Sequence, residues 1–258
     1  MLSCEIMKIN LSKLSKKHIA ISIGILVIST ATITAITVGD LQSKIKITYL
    51  GQSAFMIEAD GKRIYIDPYN LPEIYANKPA DGVIITHSHY DHFSRTALNL
   101  ISNNLTEHVG PDSMATYKNF FNVSAINPFE NTTIAGFNLE AIPMYNLGNS
   151  PMHAKTQGWC GYIIEIHEIR IFHAGDSDNI PEYEDLKGKI DVACLPIGNR
   201  RQTMGFSEAS EAIGVIEPEY VIPMHYWEIK PKSFKEYCAK DHPETTFKIM
   251  KEGNVFYI

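Results

Sequence analysis

The segment ITHSHYDHF, residues 85–93, places three histidines and one aspartate within six positions. His87, His89, Asp91 and His92 supply imidazole nitrogens and a carboxylate, which are donors that zinc takes from proteins. Side chains alternate along an extended strand, so His87 and His89 point to one side and can chelate one ion. Asp91 and His92 lie in the following turn and can face a second ion. A polar turn that only caps a helix would not need four such residues, so the cluster predicts a metal site.

Such a site needs further ligands, because zinc takes about four donors. The sequence offers His153 in a loop before a strand, Asp176 after a strand and next to Gly175, and His225 at a strand end. All three lie where a strand runs into a loop, and a rigid scaffold there can hold a side chain and leave it accessible. Taken singly, Asp176 could be a strand-ending Asx turn and His225 an ordinary, partly buried histidine. The upstream cluster favours metal ligands.

Other residues beside these motifs have more than one interpretation. His173 is expected in the core, His167 in a solvated turn, and Asp67 in a hydrogen bond to the ligands rather than on the metal. Five residues could either line a substrate pocket or pack in the core: Tyr90, Tyr145, Asn146, Trp159 and Met204.

The elements around the cluster predict packed sheets with helices outside them. Residues 56–66 predict a hairpin, because Asp60-Gly61 suits a tight turn. The apolar segment 81–87 predicts a strand buried on both faces, and residues 93–102 have the spacing of a helix. The remaining expected elements are strands at 133–143, 161–166, 169–174, 191–196 and 220–224, a helix at 207–216, and a hairpin at 247–258.

The N-terminal segment predicts a membrane anchor or a signal peptide. Residues 19–38 carry no charge, and twenty helical residues would span a hydrocarbon core of about 30 Å. Lysines in the basic segment 1–18 favour a cytoplasmic N terminus, whereas the small residues ending at Ala31 would suit cleavage. Residues 39–45 would be a linker and residues 46–258 one domain. Either interpretation places that domain outside the cytoplasm, membrane-anchored or secreted.

The composition fits one large domain and argues against some classes of protein. The chain has 258 residues, 45% of them hydrophobic, and a net charge of −6 without a basic stripe, so no nucleic-acid partner is expected. Its four cysteines, Cys4, Cys160, Cys194 and Cys238, are far apart, which favours buried thiols over disulfides or a zinc ribbon. The composition does not fix the oligomeric state.

The order of the motifs resembles that of the metallo-β-lactamase superfamily of metallohydrolases. The matching segments are YLGQSAFMIEADGKRIYIDP, THSHYDHF, MYNLGN with the following histidine, GYIIEI, AGDSDNIPE, DVACLPIG and VIPMHY. The resemblance covers residues 46–258. Within the superfamily, the sequence is most similar to the branch that contains L-ascorbate-6-phosphate lactonases and N-acyl-phosphatidylethanolamine phospholipase D. The resemblance implies an α+β fold, a four-layer αββα sandwich of two mixed β-sheets flanked by helices, preceded here by one N-terminal hydrophobic helix.

The same resemblance implies the ligand set and the cofactor. One divalent ion would be bound by His87, His89 and His153, and a second by Asp91, His92 and His225. The carboxylate of Asp176 would bridge the two ions. These donors suit zinc, with manganese or iron as alternatives. A pair of ions roughly 3.5–4 Å apart lowers the pKa of a bridging water toward 7, giving hydroxide. Asp91 is the expected catalytic residue that orients this hydroxide and moves its proton.

The expected function is a dinuclear metal-dependent hydrolase that cleaves a phosphoester or a lactone or ester bond in a small-molecule or lipid substrate. One alternative is a membrane-tethered phosphodiesterase directed at phospholipids, which residues 19–38 motivate. Another is a metal-binding module without turnover, which the complete ligand set disfavours. Two residues depart from the family pattern: Gln52 stands where a histidine is common, and Ser177 where a threonine is more usual. Both are expected to affect substrate fit rather than metal binding.

Overall fold

The computed structural model describes residues 44–148, 152–198, 202–227 and 230–258. The expected segments 1–18 and 19–38, and Cys4, lie outside these residues. Within them, no helix combines the length and the apolar character needed to cross a membrane. The other three cysteines are buried free thiols, as the sequence predicted.

The described strands form two sheets of seven strands each. In chain order they are β1 Lys46–Gly51, β2 Ala54–Ala59, β3 Lys62–Ile66, β4 Gly82–Ile84, β5 Glu107–Pro111, β6 Val123–Ile126, β7 Asn131–Ile134, β8 Phe137–Pro143, β9 Cys160–Ile166, β10 Ile169–His173, β11 Val192–Pro196, β12 Tyr220–Met224, β13 Thr246–Phe247 and β14 Val255–Tyr257. The α-helices are α1 Arg95–Ile101, α2 Ala115–Lys118, α3 Phe206–Ile216 and α4 Pro231–Cys238. Short 3₁₀ turns cover Glu73–Asn77, Lys155–Gln157 and Pro181–Leu186.

Both sheets are mixed and have the same plan. The first has the order β14-β1-β2-β3-β4-β5-β6 and the second β7-β8-β9-β10-β11-β12-β13. In each sheet four antiparallel strands, β14 to β3 or β7 to β10, are followed by three more that run parallel to the last of them. The α+β class with two mixed sheets is therefore confirmed.

Three apolar clusters define the layers. The central one lies between the sheets and joins Ile57 of β2 to Ile164 of β9 and their neighbours. A second packs α3 and α4 against the outer face of the second sheet, with Phe234 among its buried side chains. A third packs Leu98 of α1 against Met56 and other residues of the first sheet. Burial of each such side chain contributes roughly 1.5–3 kcal/mol, which ties the helices to the sheets as outer layers.

Several local predictions are confirmed. Asp60 and Gly61 have φ values of 51° and 73°, the left-handed pair that a two-residue hairpin turn requires, and they join β2 to β3. Residues 82–87 are all buried, as expected for a strand covered on both faces. Helix α1 begins after Ser94, whose hydroxyl accepts the Ala97 N–H.

Two local predictions are wrong. The single strand expected at 133–143 is the hairpin β7–β8, because Ala135 and Gly136, with φ values of 51° and 89°, reverse the chain. The expected C-terminal hairpin does not form. Instead β13 pairs with β12 in the second sheet and β14 pairs with β1 in the first, so the chain passes from one sheet to the other. Alternating side chains suit either arrangement, and the sequence pattern could not separate them.

Candidate metal centre

The segments that follow β4, β8, β10 and β12 meet at one edge of the sandwich and bring seven predicted ligands together. Gly175 allows the turn after β10, because its φ is 59° and a Cβ there would lie 2.5 Å from Met144 Sδ. His225 directly follows β12 with a φ of 50°, a conformation that costs a non-glycine residue about 1 kcal/mol or more. Such strain at a strand end is typical of functional positions.

The first group of donors consists of His87, His89, His153 and one oxygen of Asp176. His89 Nδ1 lies 3.1 Å from His87 Nε2 and 3.2 Å from His153 Nε2. Asp176 Oδ2 lies 3.5 Å from His153 Nε2 and 3.8 Å from His87 Nε2. Donors bound tetrahedrally at 2.0–2.1 Å from one zinc ion would be about 3.3 Å apart. The spacing of this group therefore fits one ion.

The second group consists of Asp91, His92 and His225. Asp91 Oδ2 lies 3.6 Å from His225 Nε2 and 3.9 Å from His92 Nε2. Asp176 approaches this group as well, with Oδ1 3.2 Å from His92 Nε2 and Oδ2 3.0 Å from His225 Nε2. The Asp176 carboxylate thus lies between the two groups, where it can contact ions in both.

Hydrogen bonds around Asp67 select the tautomers of two histidines. The Thr86 hydroxyl donates to Asp67 Oδ2 over 2.6 Å and accepts the proton on His87 Nδ1 over 2.9 Å. His92 Nδ1 donates to the same Asp67 oxygen over 2.7 Å. In its neutral form each imidazole therefore has its proton on Nδ1 and its unprotonated Nε2 toward the donor groups, which is the form that binds metal. The predicted hydrogen-bonding role of Asp67 is confirmed.

Asn146 orients the third imidazole. Its Oδ1 accepts the His153 Nδ1 proton over 2.6 Å, which leaves His153 Nε2 free to bind metal. Its Nδ2 donates to the backbone oxygen of Asp176 over 3.0 Å, to Asp178 Oδ1 over 3.1 Å and to the backbone oxygen of Gln202 over 3.2 Å. These contacts fix which end of the amide faces His153.

The sequence of this chain is similar to those of known proteins. Residues 46–225 match the family described as a β-lactamase superfamily domain. A UPF0173 metal-dependent hydrolase of Thermococcus kodakarensis is 34% identical over 194 residues, 70% of this chain and 84% of the relative. Another, of Thermococcus onnurineus, is 33% identical over 227 residues, 82% of this chain and 98% of the relative.

The chain belongs to the metallo-β-lactamase superfamily. Within that superfamily it is a metal-dependent hydrolase of the UPF0173 family. A crystal structure assigned to a metal-dependent hydrolase of Parabacteroides distasonis is similar to it, with a TM-score of 0.70 and 29% identity over 80% of this chain and 92% of that chain.

The donor atoms of this UPF0173 hydrolase suit a metal ion independently of its family membership. His92 Nε2, His225 Nε2 and Asp176 Oδ1 are buried and lack a well-directed hydrogen bond among the described residues. Buried polar atoms in folded proteins are nearly always paired, and a bound cation would satisfy all three. A nitrogen and carboxylate donor set suits zinc and related divalent ions.

Burial and charge divide the histidines into two classes. Burial lowers the pKa of His87 well below its usual range and that of His153 to about 4, so both rings are neutral near pH 7. Burial also acts on His92 and His225, but it is outweighed by Asp176 together with Asp67 at His92 and with Asp91 at His225. The pKa of His92 is consequently raised well above its usual range and that of His225 to about 9. The same histidines hold the pKa of Asp176 well below its usual range despite burial, which keeps it a carboxylate.

A cavity of about 580 Å³ opens onto the donor cluster. Its lining residues are His89, Tyr90, Asp91, Met152, Asp176, Gln202 and Trp227. A larger cavity of about 680 Å³, beside α3 and residues 241–245, contains none of the seven donors. The volume of a cavity therefore does not identify the site, whereas the donor residues in its lining do.

Five residues could, from the sequence, either line a substrate pocket or pack in the core, and the structure places them differently. Tyr90 lines the cavity and is 71% exposed, whereas Tyr145 and Met204 are buried in the apolar cluster under α3. Trp159 packs its ring 5.0–5.6 Å from the rings of three histidines predicted to be ligands. The buried Asn146 has a third role, the orientation of His153, that the sequence did not suggest.

Two histidine predictions are confirmed. His173 is fully buried, and its Nε2 donates to the backbone oxygen of Ser53 over 2.8 Å. His167 lies in an exposed turn, 2.7 Å from Asp60 Oδ2.

The two departures from the family pattern do not line the 580 Å³ cavity, although Gln52 lines a neighbouring groove. Ser177 is fully buried and donates to the backbone oxygen of Tyr145 over 3.2 Å, so it is part of the local packing. Gln52 donates to Asp91 Oδ2 over 3.0 Å. Neither contact supports the expected effect on substrate fit. The two partners are 32 and 39 residues away along the chain, and no short motif could have indicated them.

Proposed function

We propose that this metal-dependent hydrolase is dinuclear and cleaves a phosphoester or a lactone or ester bond. The observation that carries the proposal is the position of the Asp176 carboxylate, within 3.2 Å of donors from the second group and 3.5 Å of a donor from the first. The proposal agrees with the resemblance to the branch of lactonases and phospholipase D enzymes, whose substrates contain such bonds.

The side chains have separate tasks in this proposal. When bound, a pair of divalent ions polarises a carbonyl or phosphoryl oxygen and lowers the pKa of water toward 7. Hydrogen-bond partners hold His87, His92 and His153 with Nε2 toward the donor groups. His87 and His153 are neutral there, and a bound ion would replace the Nε2 proton that the raised pKa gives His92 in the metal-free protein. Asp176 offsets positive charge between the two groups.

Asp91 is the proposed group for proton transfer. It lines the cavity, and its contacts with described residues go to Oδ2. Oδ1 is thereby left to accept the proton of an attacking water and to return it to the leaving group. Nearby histidines lower the pKa of this carboxyl despite its burial, so it is ionised at neutral pH.

The test uses full-length protein loaded with zinc or manganese. Turnover is measured on an aryl phosphodiester, a phospholipid and a simple lactone, with a chelated sample and the His87→Ala variant as controls. Turnover that is lost in both controls supports the proposal, and the class that is cleaved selects the bond. A protein that binds two ions and turns over none of these substrates would favour the metal-binding module instead.

A second candidate function, a phospholipid-directed phosphodiesterase, has its own support. A groove of about 500 Å³ adjoins the metal centre at Gln52, and apolar residues such as Ile249 line it. Lys230, Lys232 and Lys251 also line it and form no ion pair with any of the described residues. Three cationic groups beside apolar surface suit an anionic headgroup with attached hydrocarbon.

The mouth of the cavity supports the same candidate. Tyr90, Met152 and Trp227 line it and are 71%, 47% and 53% exposed. Large apolar side chains grouped around a polar site are typical of surfaces that meet apolar ligands or membranes. Residues 19–38, where retained, would tether the domain at a lipid surface.

Two arms of one experiment separate the candidates. The triple variant Lys230→Glu, Lys232→Glu and Lys251→Glu is expected to lose turnover on anionic phospholipid vesicles and to keep turnover on a soluble aryl phosphodiester. Equal turnover of variant and wild type on vesicles would remove this second candidate.

A further inference from the structure

Gln52 connects two members of the second donor group. It lies in the turn between β1 and β2, and its backbone oxygen accepts the His225 N–H and the Tyr49 hydroxyl, each over 2.9 Å. Its side-chain Nε2 donates to Asp91 Oδ2 over 3.0 Å. One residue therefore contacts the side chain of Asp91 and the main chain of His225.

The backbone of Gln52 is held in an unfavourable conformation. Its φ is 52°, in the left-handed region where Gly and Asn are preferred. Glycine would adopt this conformation at little cost, but it has no side chain, and the shorter amide of asparagine would reach less far. The length of the glutamine side chain is what brings its amide to Asp91.

The hydrogen bond restricts the rotation of the Asp91 carboxylate. Oδ2 is the oxygen that faces His225 Nε2 at 3.6 Å and His92 Nε2 at 3.9 Å. A carboxylate oxygen has two lone pairs, so Oδ2 can accept from Gln52 and still bind a cation. Rotation of the carboxylate by about 90° around its Cβ–Cγ bond would turn both oxygens away from Gln52, and the hydrogen bond opposes that rotation.

We infer that Gln52 is a positioning residue, whose amide holds Asp91 Oδ2 toward the ion of the second donor group. The inference rests on the proposed function, since it requires that Asp91, His92 and His225 hold an ion. Partners of this kind set metal affinity, and their loss typically costs about 10–100-fold. The effect is expected for one of the two ions only, because Gln52 makes no hydrogen bond to the first donor group among the described residues.

The experiment compares variants of the full-length protein. Gln52→Met has a similar shape and the same backbone strain but no N–H donor, and Gln52→His restores an N–H donor. Gln202→Met is the matched control, since Gln202 lines the cavity but its side chain makes no hydrogen bond to a described ligand. Zinc affinity is measured for each binding event by competition with a chelator, and cobalt absorption provides a spectroscopic readout.

The expected result for Gln52→Met is a loss of about 10–100-fold in one zinc-binding event, a changed cobalt spectrum and an unchanged melting temperature of the metal-free protein. Gln52→His should recover most of the affinity, and Gln202→Met should match the wild type. Equal weakening of both events with a lower melting temperature would indicate a structural role and overturn the inference, as would unchanged affinities. A wild-type chain that binds only one ion would overturn the dinuclear proposal and this inference together.

Discussion

Replacement of Asn146 by alanine tests whether the surroundings of the donors set the properties of the metal centre. The side chain makes five hydrogen bonds, and three of them are fully buried: those to His153 N, His153 Nδ1 and the Asp176 backbone oxygen. Water can replace the two partly exposed bonds, to Asp178 and Gln202.

The expected magnitude follows from the three buried bonds. At about 1 kcal/mol each, their loss destabilises the metal-free protein by about 3 kcal/mol. In a domain of this size that lowers the melting temperature by about 6–12 °C. His153 also loses the acceptor that selects its tautomer, so zinc affinity should fall by about 10–100-fold.

The assays are scanning calorimetry of metal-free protein and chelator competition for zinc. Tyr145→Phe is the control, because it removes a hydrogen bond from the neighbouring residue to Glu182 without contact to a predicted ligand. An Asn146→Ala variant that matches this control in both assays would show that the Asn146 side chain neither stabilises the fold nor orients His153 for metal binding.

Three further predictions concern the metal, a buried histidine and a glycine. Chelation of a protein held at a metal concentration of about 100 Kd should remove nearly 3 kcal/mol of stability per site, and a melting temperature that chelation leaves unchanged would contradict metal binding. Burial lowers the pKa of His108 to about 4, below its unfolded value near 6.5, so its neutral ring stabilises the fold above pH 6.5 and this stability is lost as the pH falls toward 4. The loss in the free energy of unfolding reaches about 3 kcal/mol. Urea titrations at several pH values should show that this free energy declines less for His108→Phe than for the wild type as the pH falls. Equal dependence on pH in the two proteins would contradict the assignment. A Cβ at Gly198 would clash with the His225 backbone oxygen, so Gly198→Ala should displace His225 and weaken one zinc-binding event. Gly214→Ala, where a Cβ has more space, should not. Equal zinc affinities for the two glycine variants would contradict this.

The sequence predicted the elements whose signals are local. The cluster at 87–92 and the turn at Asp60-Gly61 depend on residue types within a few positions. The structure confirms the turn and brings the cluster together with the other predicted donors. The hydrogen-bond partners of the donors were less accessible. Asn146 and Gln52 contact residues 30 and 39 positions away, and their roles follow from the packing of the two sheets.

The prediction of the fold from the sequence had a similar limit. Apolar periodicity indicated strands and helices, but it did not assign a strand to a sheet. That is why β13 and β14 were expected to pair with each other, although each pairs with a different sheet. The turn at Ala135-Gly136 was missed because alanine rarely adopts a positive φ.

We propose that one edge of this sandwich holds two ions, one on either side of Asp176. An anomalous difference map from crystals of the zinc-loaded protein would locate them. Two peaks about 3.5–4 Å apart are expected. One should lie among the first trio and the other among the second: His87, His89 and His153; and Asp91, His92 and His225. A single peak, or two peaks away from these residues, would contradict it.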